Sequence, residues 1–325
     1  ATAVAVRPGC GGRRPPPNTG IPPERRVRVL FLVTRFPAPP WRGDQVRAYH
    51  HLRLLAPRHS VTLCALVLRP PPAAVRAEIE AFGVRVEVVP LGLLGALPAL
   101  ARAALGDRRP FQVLLFARRR ARARVRALVA RGGFGVVHAQ LVRAASYLPV
   151  GVPRVVDLVD ALSANFARRA RRERGPLGWI AASEAARLRR YEAELIAAGS
   201  PCLVVSERER SALGGAPALR VVPNGIDADA FPYREDGRAP ARLVFGGNLG
   251  YFPNVDAVSW LVDDILPRVQ VAQPDAELRL VGARPGRAVR ALAGRPRVSV
   301  AGDVPAMAPE LAAGTVAVIP LRAGS

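Results

Sequence analysis

The sequence predicts an α/β protein built from two Rossmann-like domains, and three observations support this fold class. From Val27 onward, short aliphatic and β-branched runs alternate with longer helical stretches, which is the pattern of a parallel sheet made from βαβ units. The pattern is interrupted at 219–224, where Asn224-Gly225 signals a turn, and then begins again. The length of 325 residues suits two domains of about 100–200 residues each. We expect a cleft between the domains, with ligands bound at the carboxyl ends of the strands.

The first domain is predicted from its hydrophobic runs and the loop signals between them. Residues 27–34 (VRVLFLVT) are almost continuously apolar, as expected for a strand covered on both faces. Ser206 and Glu209 form a capping box that opens a helix. Further strands are predicted at 60–68, 84–89, 135–139, 154–158 and 202–205, with helices at 44–56 and 177–198.

The second domain repeats the same alternation on a smaller scale. Strands are predicted at 242–246, 277–281, 297–301 and 315–320, and helices at 254–271 and 305–313. The domain boundaries are then 1–26 for a disordered Gly/Pro/Arg-rich lead-in, 27–223 for the first domain and 224–325 for a partial second domain. Because the second series has about half the elements of a Rossmann-like domain, we expect the 325-residue chain to be inactive and aggregation-prone.

The charge of +23 suggests a polyanion partner at first sight. Every basic residue is arginine, however, which together with abundant Ala, Pro and Gly is typical of codon bias in a GC-rich genome. The arginine clusters at 118–126 and 168–174 have almost no aromatic residues on which bases could stack, so a groove for single-stranded nucleic acid is not predicted. Contact with an anionic membrane stays open as an alternative.

Cysteines, histidines and apolar runs exclude several other classes. Three cysteines lie far apart, and His50, His51, His59 and His138 show no metal-ligand spacing, so neither a disulfide framework nor a metal site is predicted. The longest apolar stretch, 88–101, contains proline and glycine and is shorter than the roughly 20 residues needed to cross a bilayer. A cytoplasmic protein is predicted, with peripheral contact on the inner face of the membrane as an option.

Two glycine-containing loops and a pair of aspartates are the candidate site residues. In the loop 35–44, Gly43 allows close backbone approach, and Asp44 is placed to cap a helix N-terminus that favours an anion. The turn beginning Gly246-Gly247 precedes a helix in the same way. Asp157 and Asp160 end the strand VVDLVD and are expected to face the cleft, with Asp160 just past the strand or at a helix N-cap. Ordinary loops and caps are the alternative for each.

Five motifs carry a resemblance to a known family. They are R-F-P-x-P-P-x-x-G-D at 35–44, V-P-N-G-I-D-A-D-A-F at 222–231, N-V-D-A-V-S-W at 254–260, L-R-L-V-G at 278–282 and A-G-D-V-P at 301–305. In combination the chain resembles the family 4 glycosyltransferases of the GT-B fold. It is most similar to sugar transferases associated with bacterial exopolysaccharide (PEP-CTERM type) systems.

The resemblance implies retaining transfer of a sugar from a nucleotide-sugar donor, a UDP- or GDP-sugar, to a lipid-linked or saccharide acceptor, with no metal or other cofactor. The second domain would bind the donor and the first domain the acceptor, with Gly43 and Asp44 facing both and Asp160 as the catalytic candidate. The donor residues would be Gly246, Gly247, Asn248, Asn254, Gly282 and Asp303.

The sequence departs from the family pattern at three places. Val159 occupies the position at which many members have a histidine, 249–254 lack the basic residues that neutralise the diphosphate, and the paired-glutamate segment is absent. Two other functions therefore stay open: a nucleotide-sugar epimerase on the same scaffold, and a non-catalytic polyanion-binding protein. A transferase acting on lipid would dock through the two arginine clusters together with Leu93, Leu94 and Leu97.

Overall fold

The computed structural model describes residues 26–92, 96–231, 233, 236–302, 304 and 306–322. The chain divides into two compact units between Asn224 and Gly225. Each unit has one parallel sheet flanked by helices, which confirms the α/β class with two Rossmann-like sheets. The predicted disordered lead-in falls on residues 1–25, outside the described residues, and on Arg26. No helix in the described part of the chain is long and apolar enough to cross a membrane.

The first unit contains a seven-stranded sheet in the order β3-β2-β1-β4-β5-β6-β7. Its strands are β1 (Arg28–Val33), β2 (Ser60–Val67), β3 (Arg85–Pro90), β4 (Val136–Gln140), β5 (Arg154–Val159), β6 (Cys202–Val204) and β7 (Leu219–Val221). Its helices are α1 (Gly43–Leu55), α2 (Ala73–Glu80), α3 (Ala96–Ala104), α4 (Phe111–Phe116), α5 (Arg119–Gly132), α6 (Leu141–Ala145), α7 (Leu162–Arg172), α8 (Pro176–Ala197) and α9 (Glu207–Ala212).

Alternation along β1 divides the core between the two faces of this sheet. Phe31 packs on one face against Leu52 of α1, whereas Leu30 and Leu32 pack on the other face with Val125 of α5. All of these side chains are fully buried. The near-continuous apolar run is therefore explained by a strand that is covered on both sides. The short strand β7 was missed by the sequence prediction because it has only three residues and is soon followed by proline.

The second unit has a four-stranded sheet in the order β10-β9-β8-β11. The strands are β8 (Arg242–Gly246), β9 (Glu277–Gly282), β10 (Val298–Gly302) and β11 (Val316–Ala317), and the helices are α10 (Phe252–Trp260), α11 (Leu266–Ala272), α12 (Arg287–Ala291) and α13 (Met307–Ala312). A π-helical turn at Leu261–Ile265 joins α10 to α11, where a single helix was predicted. Pro267 explains it, since proline has no N–H to donate to a carbonyl four residues earlier.

Candidate active site

Both glycine-containing loops lie where open α/β sheets bind ligands. In the first sheet β1 lies between β2 and β4, so the connections leaving β1 and β4 run to opposite sides of the sheet. The second sheet has the same arrangement, with β8 between β9 and β11. The loop 35–44 follows β1, and the Gly246-Gly247 turn follows β8. Each loop therefore lies at the topological switch point of its own sheet.

Asp44 does not cap α1, and that prediction is wrong. The helix begins at Gly43, its N-cap is Arg42, and no side chain caps it. Instead, Arg35 Nη1 donates to Asp44 Oδ1 and Oδ2 at 2.6 and 2.5 Å, so the two ends of the loop are joined by an ion pair. A Cβ added at Gly43 would meet no atom within 4 Å. Packing thus gives no reason for glycine here, and the role of both residues toward a ligand stays a prediction.

Asp160 lies immediately after β5, at a distorted strand end. Val159 has φ 67°, a left-handed conformation that is unfavourable for a β-branched residue, and the register of β5 against β6 shifts at this point. The Asp160 side chain is half-buried and forms no hydrogen bond or ion pair with the described residues. Burial, followed by the nearby carboxylates of Glu209 and Asp44, raises the pKa of Asp160.

The helix-cap interpretation of Asp160 is wrong because other carboxylates occupy the start of α7. Its N-cap is Ala161, whose N–H donates to Glu209 Oε2 at 2.6 Å, and the N–H of Ser163 donates to Glu192 Oε1 at 3.2 Å. Glu192 and Glu209 are both buried. Burial raises the pKa of Glu192, although hydrogen bonds from Ser163 and Leu162 oppose that shift. Asp160 therefore has no structural partner among the described residues.

Half of the predicted capping box is confirmed. Ser206 Oγ accepts a hydrogen bond from the N–H of Glu209 at 3.3 Å, at the start of α9. The Glu209 carboxylate, which in a capping box turns back to its own helix, turns to α7 instead. This contact joins elements 48 residues apart in sequence, so local spacing could not have predicted it.

Asp157 is fully buried beneath α1, so the expectation that it faces a cleft is wrong. Arg47 Nε donates to Asp157 Oδ2 at 2.7 Å, and Arg47 Nη1 donates to Val222 O and Asn224 Oδ1, both at 2.9 Å. Burial acts to raise the pKa of Asp157, but the neighbouring His138 and Arg47 outweigh it and lower that pKa overall. Arg47 thereby links α1, β5 and the end of the first unit.

Two histidines complete this buried network. His51 Nδ1 and His138 Nε2 lie 3.9 and 3.7 Å from Asp157 Oδ2, and the His138 ring stacks on Phe31 at 4.3 Å. Burial, followed by the positive charge of Arg47, lowers the pKa of His51 to about 4. The side chains of His51, His138 and Asp157 are close enough to one another to hold a metal ion. Their spacing in the sequence did not reveal this grouping. Since Arg47 already neutralises Asp157, the arrangement is better suited to ion pairing.

The glycines at the carboxyl ends of β8 and β9, and Gly247 after β8, lie in close contact with neighbouring groups, and at Gly282 the neighbour is backbone. Gly282 has φ +145°, and a Cβ added there would lie 1.6 Å from Gly247 O. A Cβ at Gly247 would lie 2.9 Å from Asn254 Nδ2, and one at Gly246 would lie 3.1 Å from Met307 Sδ. Their glycine identity thus has a packing cause, whereas an approach to diphosphate stays a prediction.

Asn248 and Asn254 hold the turn in shape. Asn248 Oδ1 accepts from Gly250 N at 3.0 Å, and Asn254 Nδ2 donates to Asn248 O at 2.9 Å. The N–H groups of Gly247 and Leu249 donate to the carbonyls of residues 281 and 283. The N–H of Asn248 has no acceptor among the described residues. Asp303 lies outside the described residues.

Residues 240–325, about a quarter of the chain, match the family model described as Glycosyl transferases group 1. This match confirms the predicted glycosyltransferase resemblance. The matched segment contains the glycine turn after β8 and the strands β8–β11, so it is the part of the chain that holds the predicted donor residues. No curated protein matches the sequence significantly.

Several solved structures are similar to this chain. A UDP-glucosyltransferase from Polygonum tinctorium is 12% identical with a TM-score of 0.43, covering 85% of this chain and 71% of its own. Phytolacca americana UGT2 complexed with UDP-2fluoro-glucose and pterostilbene is 10% identical with a TM-score of 0.47, covering 86% and 71%. A Listeria monocytogenes protein proposed to be a UDP-N-acetylglucosamine 2-epimerase is 11% identical with a TM-score of 0.46, covering 90% and 73%.

Proposed function

We propose that the protein is a retaining glycosyltransferase that moves a sugar from a UDP- or GDP-sugar to a lipid-linked or saccharide acceptor, without a metal, in exopolysaccharide or cell-surface glycan synthesis. In this reaction the bond between the sugar C1 and the donor phosphate breaks, and a bond from C1 to the acceptor oxygen forms on the same face. The acceptor proton leaves with the departing phosphate. The observation that carries the proposal is the family match over 240–325.

In this proposal the turn after β8 receives the donor diphosphate. The N–H of Asn248 has no acceptor among the described residues, whereas the N–H groups of Gly247 and Leu249 on either side of it are occupied, so it is free to donate to a phosphate oxygen. No side chain projects into the turn from Gly246, Gly247 or Gly282. Asn254 fixes the orientation of the turn through its hydrogen bond to Asn248 O. Asp303 would border the nucleotide.

Asp160 is proposed as the residue that orients the acceptor hydroxyl or the donor sugar. It has no structural partner among the described residues, in contrast with Asp157, whose carboxylate is held by Arg47. A carboxylate with a raised pKa and free oxygens is suited to accept a hydrogen bond from a hydroxyl.

Labelled UDP- and GDP-sugars, incubated with a lipid extract and a form of the protein that has a complete second Rossmann-like domain, test this proposal. We expect label in the lipid or saccharide fraction. Interconversion of the free nucleotide sugar without transfer would instead identify an epimerase. A protein that binds no nucleotide sugar, yet is retained on heparin until moderate salt, would be a generic polyanion binder.

We also propose that the first unit contacts an anionic membrane through the turn between α7 and α8. Leu177, Trp179 and Ile180 are 59, 76 and 57% exposed at the start of α8. The exposed arginines Arg171, Arg172 and Arg174 precede them, and we call these six residues the hairpin tip. Exposed apolar side chains beside arginines favour an anionic lipid surface.

Of the three leucines predicted to contact the membrane, the structure describes one. Leu97 is 68% exposed in α3, whereas Leu93 and Leu94 lie outside the described residues. The arginines at 168–174 are thus joined by Leu177, Trp179 and Ile180, which follow them in sequence. The contact would make the protein a peripheral one on the inner face of the membrane.

A further inference from the structure

A cavity of about 540 Å³ opens in the first unit beside the carboxyl ends of β1 and β2. Its wall includes Thr34 and the loop that follows β1, residues 68–72 after β2, and Arg143 of α6. This volume is in the range of sites that enclose a small organic molecule. All of its lining residues belong to the first unit.

Two polar side chains of this cavity have no hydrogen-bond partner in the described structure. Thr34 is only 6% exposed, and its Oγ1 is unpartnered. The guanidinium of Arg143 forms no hydrogen bond or ion pair with a described residue, and its Nε is enclosed. Its recorded contact is with the Phe116 ring, 5.2 Å from the ring centroid. Because an enclosed charge that no carboxylate hydrogen-bonds is costly, this pair of groups favours an anionic ligand.

The charges around the cavity support the same ligand class. Arg35 and Arg69 also line it, and the described lining residues include no aspartate or glutamate. Both carboxylate oxygens of Asp44 accept hydrogen bonds from Arg35. Burial lowers the pKa of Arg143 to about 10, which leaves it charged at neutral pH. A phosphate group has enough oxygens to accept hydrogen bonds from both a guanidinium and a threonine hydroxyl.

The remainder of the cavity is apolar. Phe36, Trp41, Val75 and three prolines form its walls. Trp41 is 48% exposed, so part of its side chain is accessible to a ligand. An inorganic anion would leave these walls uncovered, whereas a phosphate carrying an alkyl or isoprenoid-like chain would cover them.

We infer that this cavity binds an amphipathic organophosphate, with the phosphate between Arg143 and Thr34 and the apolar part against Trp41 and Phe36. Arg143 supplies the charge, and Thr34 supplies a hydroxyl that has no other partner. The further identification of this ligand as the acceptor rests on the proposed function, because a lipid-linked acceptor has this chemistry.

Calorimetric titration of the full chain with octyl phosphate tests the inference. Octyl phosphate should bind at least about tenfold more tightly than octanol or inorganic phosphate, each of which offers only one half of the ligand. Arg143→Gln should weaken octyl phosphate binding at least about tenfold, and Thr34→Val several-fold. The matched control Arg126→Gln removes an exposed arginine that does not line the cavity, and should leave binding within twofold.

A second measurement on the unaltered protein covers the case in which Arg143→Gln does not fold. Octyl phosphate should protect Arg143, and not Arg126, from modification by phenylglyoxal, as read by mass spectrometry. Equal binding of octyl phosphate and octanol, equal loss in the Arg126→Gln control, or no selective protection of Arg143 would overturn the inference. No nucleotide sugar is present in these assays, so their failure would leave the proposed sugar transfer untouched.

Discussion

Asp160 is a half-buried carboxylate without a partner among the described residues, and its pKa is raised by burial and by neighbouring acids. A raised pKa in the folded state means that the ionised form costs stability, and the cost grows as the pH rises through that pKa. Asp160→Asn should therefore keep or raise the melting temperature at pH 7, and the difference should shrink toward acid pH.

In a form of the protein that has a complete second domain, the same variant should lose at least about tenfold in kcat, equivalent to about 1.4 kcal/mol of barrier, with a smaller change in KM. Asp160→Ala serves as the control for a structural role. Because α7 is capped by Glu209 and Glu192, the alanine variant should keep its stability as well. Near-normal turnover of Asp160→Asn would contradict a role for the Asp160 carboxylate in the reaction.

His51 should make folding pH-dependent. Its pKa of about 4 lies below the ordinary value of 6.5, so unfolding takes up a proton between these values. The stabilisation is complete above pH 6.5 and is lost as the pH falls toward 4. Lowering the pH from 7 to 5 should cost the first unit about 2 kcal/mol through this group. Urea unfolding curves of His51→Gln should show a smaller loss of unfolding free energy between pH 7 and pH 5 than those of the unaltered protein. If both proteins lost the same unfolding free energy over this range, the burial argument would be contradicted.

Single residues were predictable from the sequence where their contacts are local. The Ser206 hydroxyl and the N–H of Glu209 are three residues apart, and their hydrogen bond was predicted correctly. The network of Arg47, His51, His138 and Asp157 was not, because it joins α1, β4 and β5 through separations such as the 110 residues between Arg47 and Asp157. No local periodicity or spacing encodes such a contact.

At the scale of elements, the turn after β8 and the end of β9 are in close contact. Gly282→Ala would place a Cβ 1.6 Å from Gly247 O at a φ of +145°, so the two loops must separate. We expect a loss of at least about 3 kcal/mol of stability in the second unit. Gly294→Ala, whose Cβ would meet nothing within 4 Å, should cost less than about 0.5 kcal/mol. Equal denaturation midpoints for the two variants would contradict the contact.

The hairpin tip gives a prediction for the α7–α8 element. Vesicles containing phosphatidylglycerol should retain the protein at low salt and release it at high salt, because each arginine near the surface contributes about 1 kcal/mol. Replacing Leu177, Trp179 and Ile180 together by serine should weaken binding about tenfold or more. Val150→Ser, at an apolar position that is 96% exposed outside the tip, is the control. Equal binding to neutral phosphatidylcholine vesicles would contradict electrostatic docking.

At the scale of the whole chain, the alternation of strand and helix signals was sufficient to predict two parallel sheets. Strands such as 242–246 were predicted with their observed bounds, because apolar runs flanked by glycine and proline mark both ends. The loops around the candidate site were less predictable, since their geometry depends on packing between segments, as Gly247 and Gly282 illustrate. The net charge of +23 does not by itself indicate a function. The structure shows which arginines are in ion pairs, such as Arg35, and which are exposed at the hairpin tip.

The central claim is that the protein transfers a sugar from a nucleotide donor to an acceptor hydroxyl. A time course by NMR with a donor labelled with carbon-13 at the sugar C1 tests it most directly, because one spectrum reports the donor, any epimer and the product. We expect a new signal from a sugar C1 that is bonded to the acceptor oxygen and has the anomeric configuration of the donor. A donor signal that changes only to that of its epimer, or a product of inverted configuration, would contradict it.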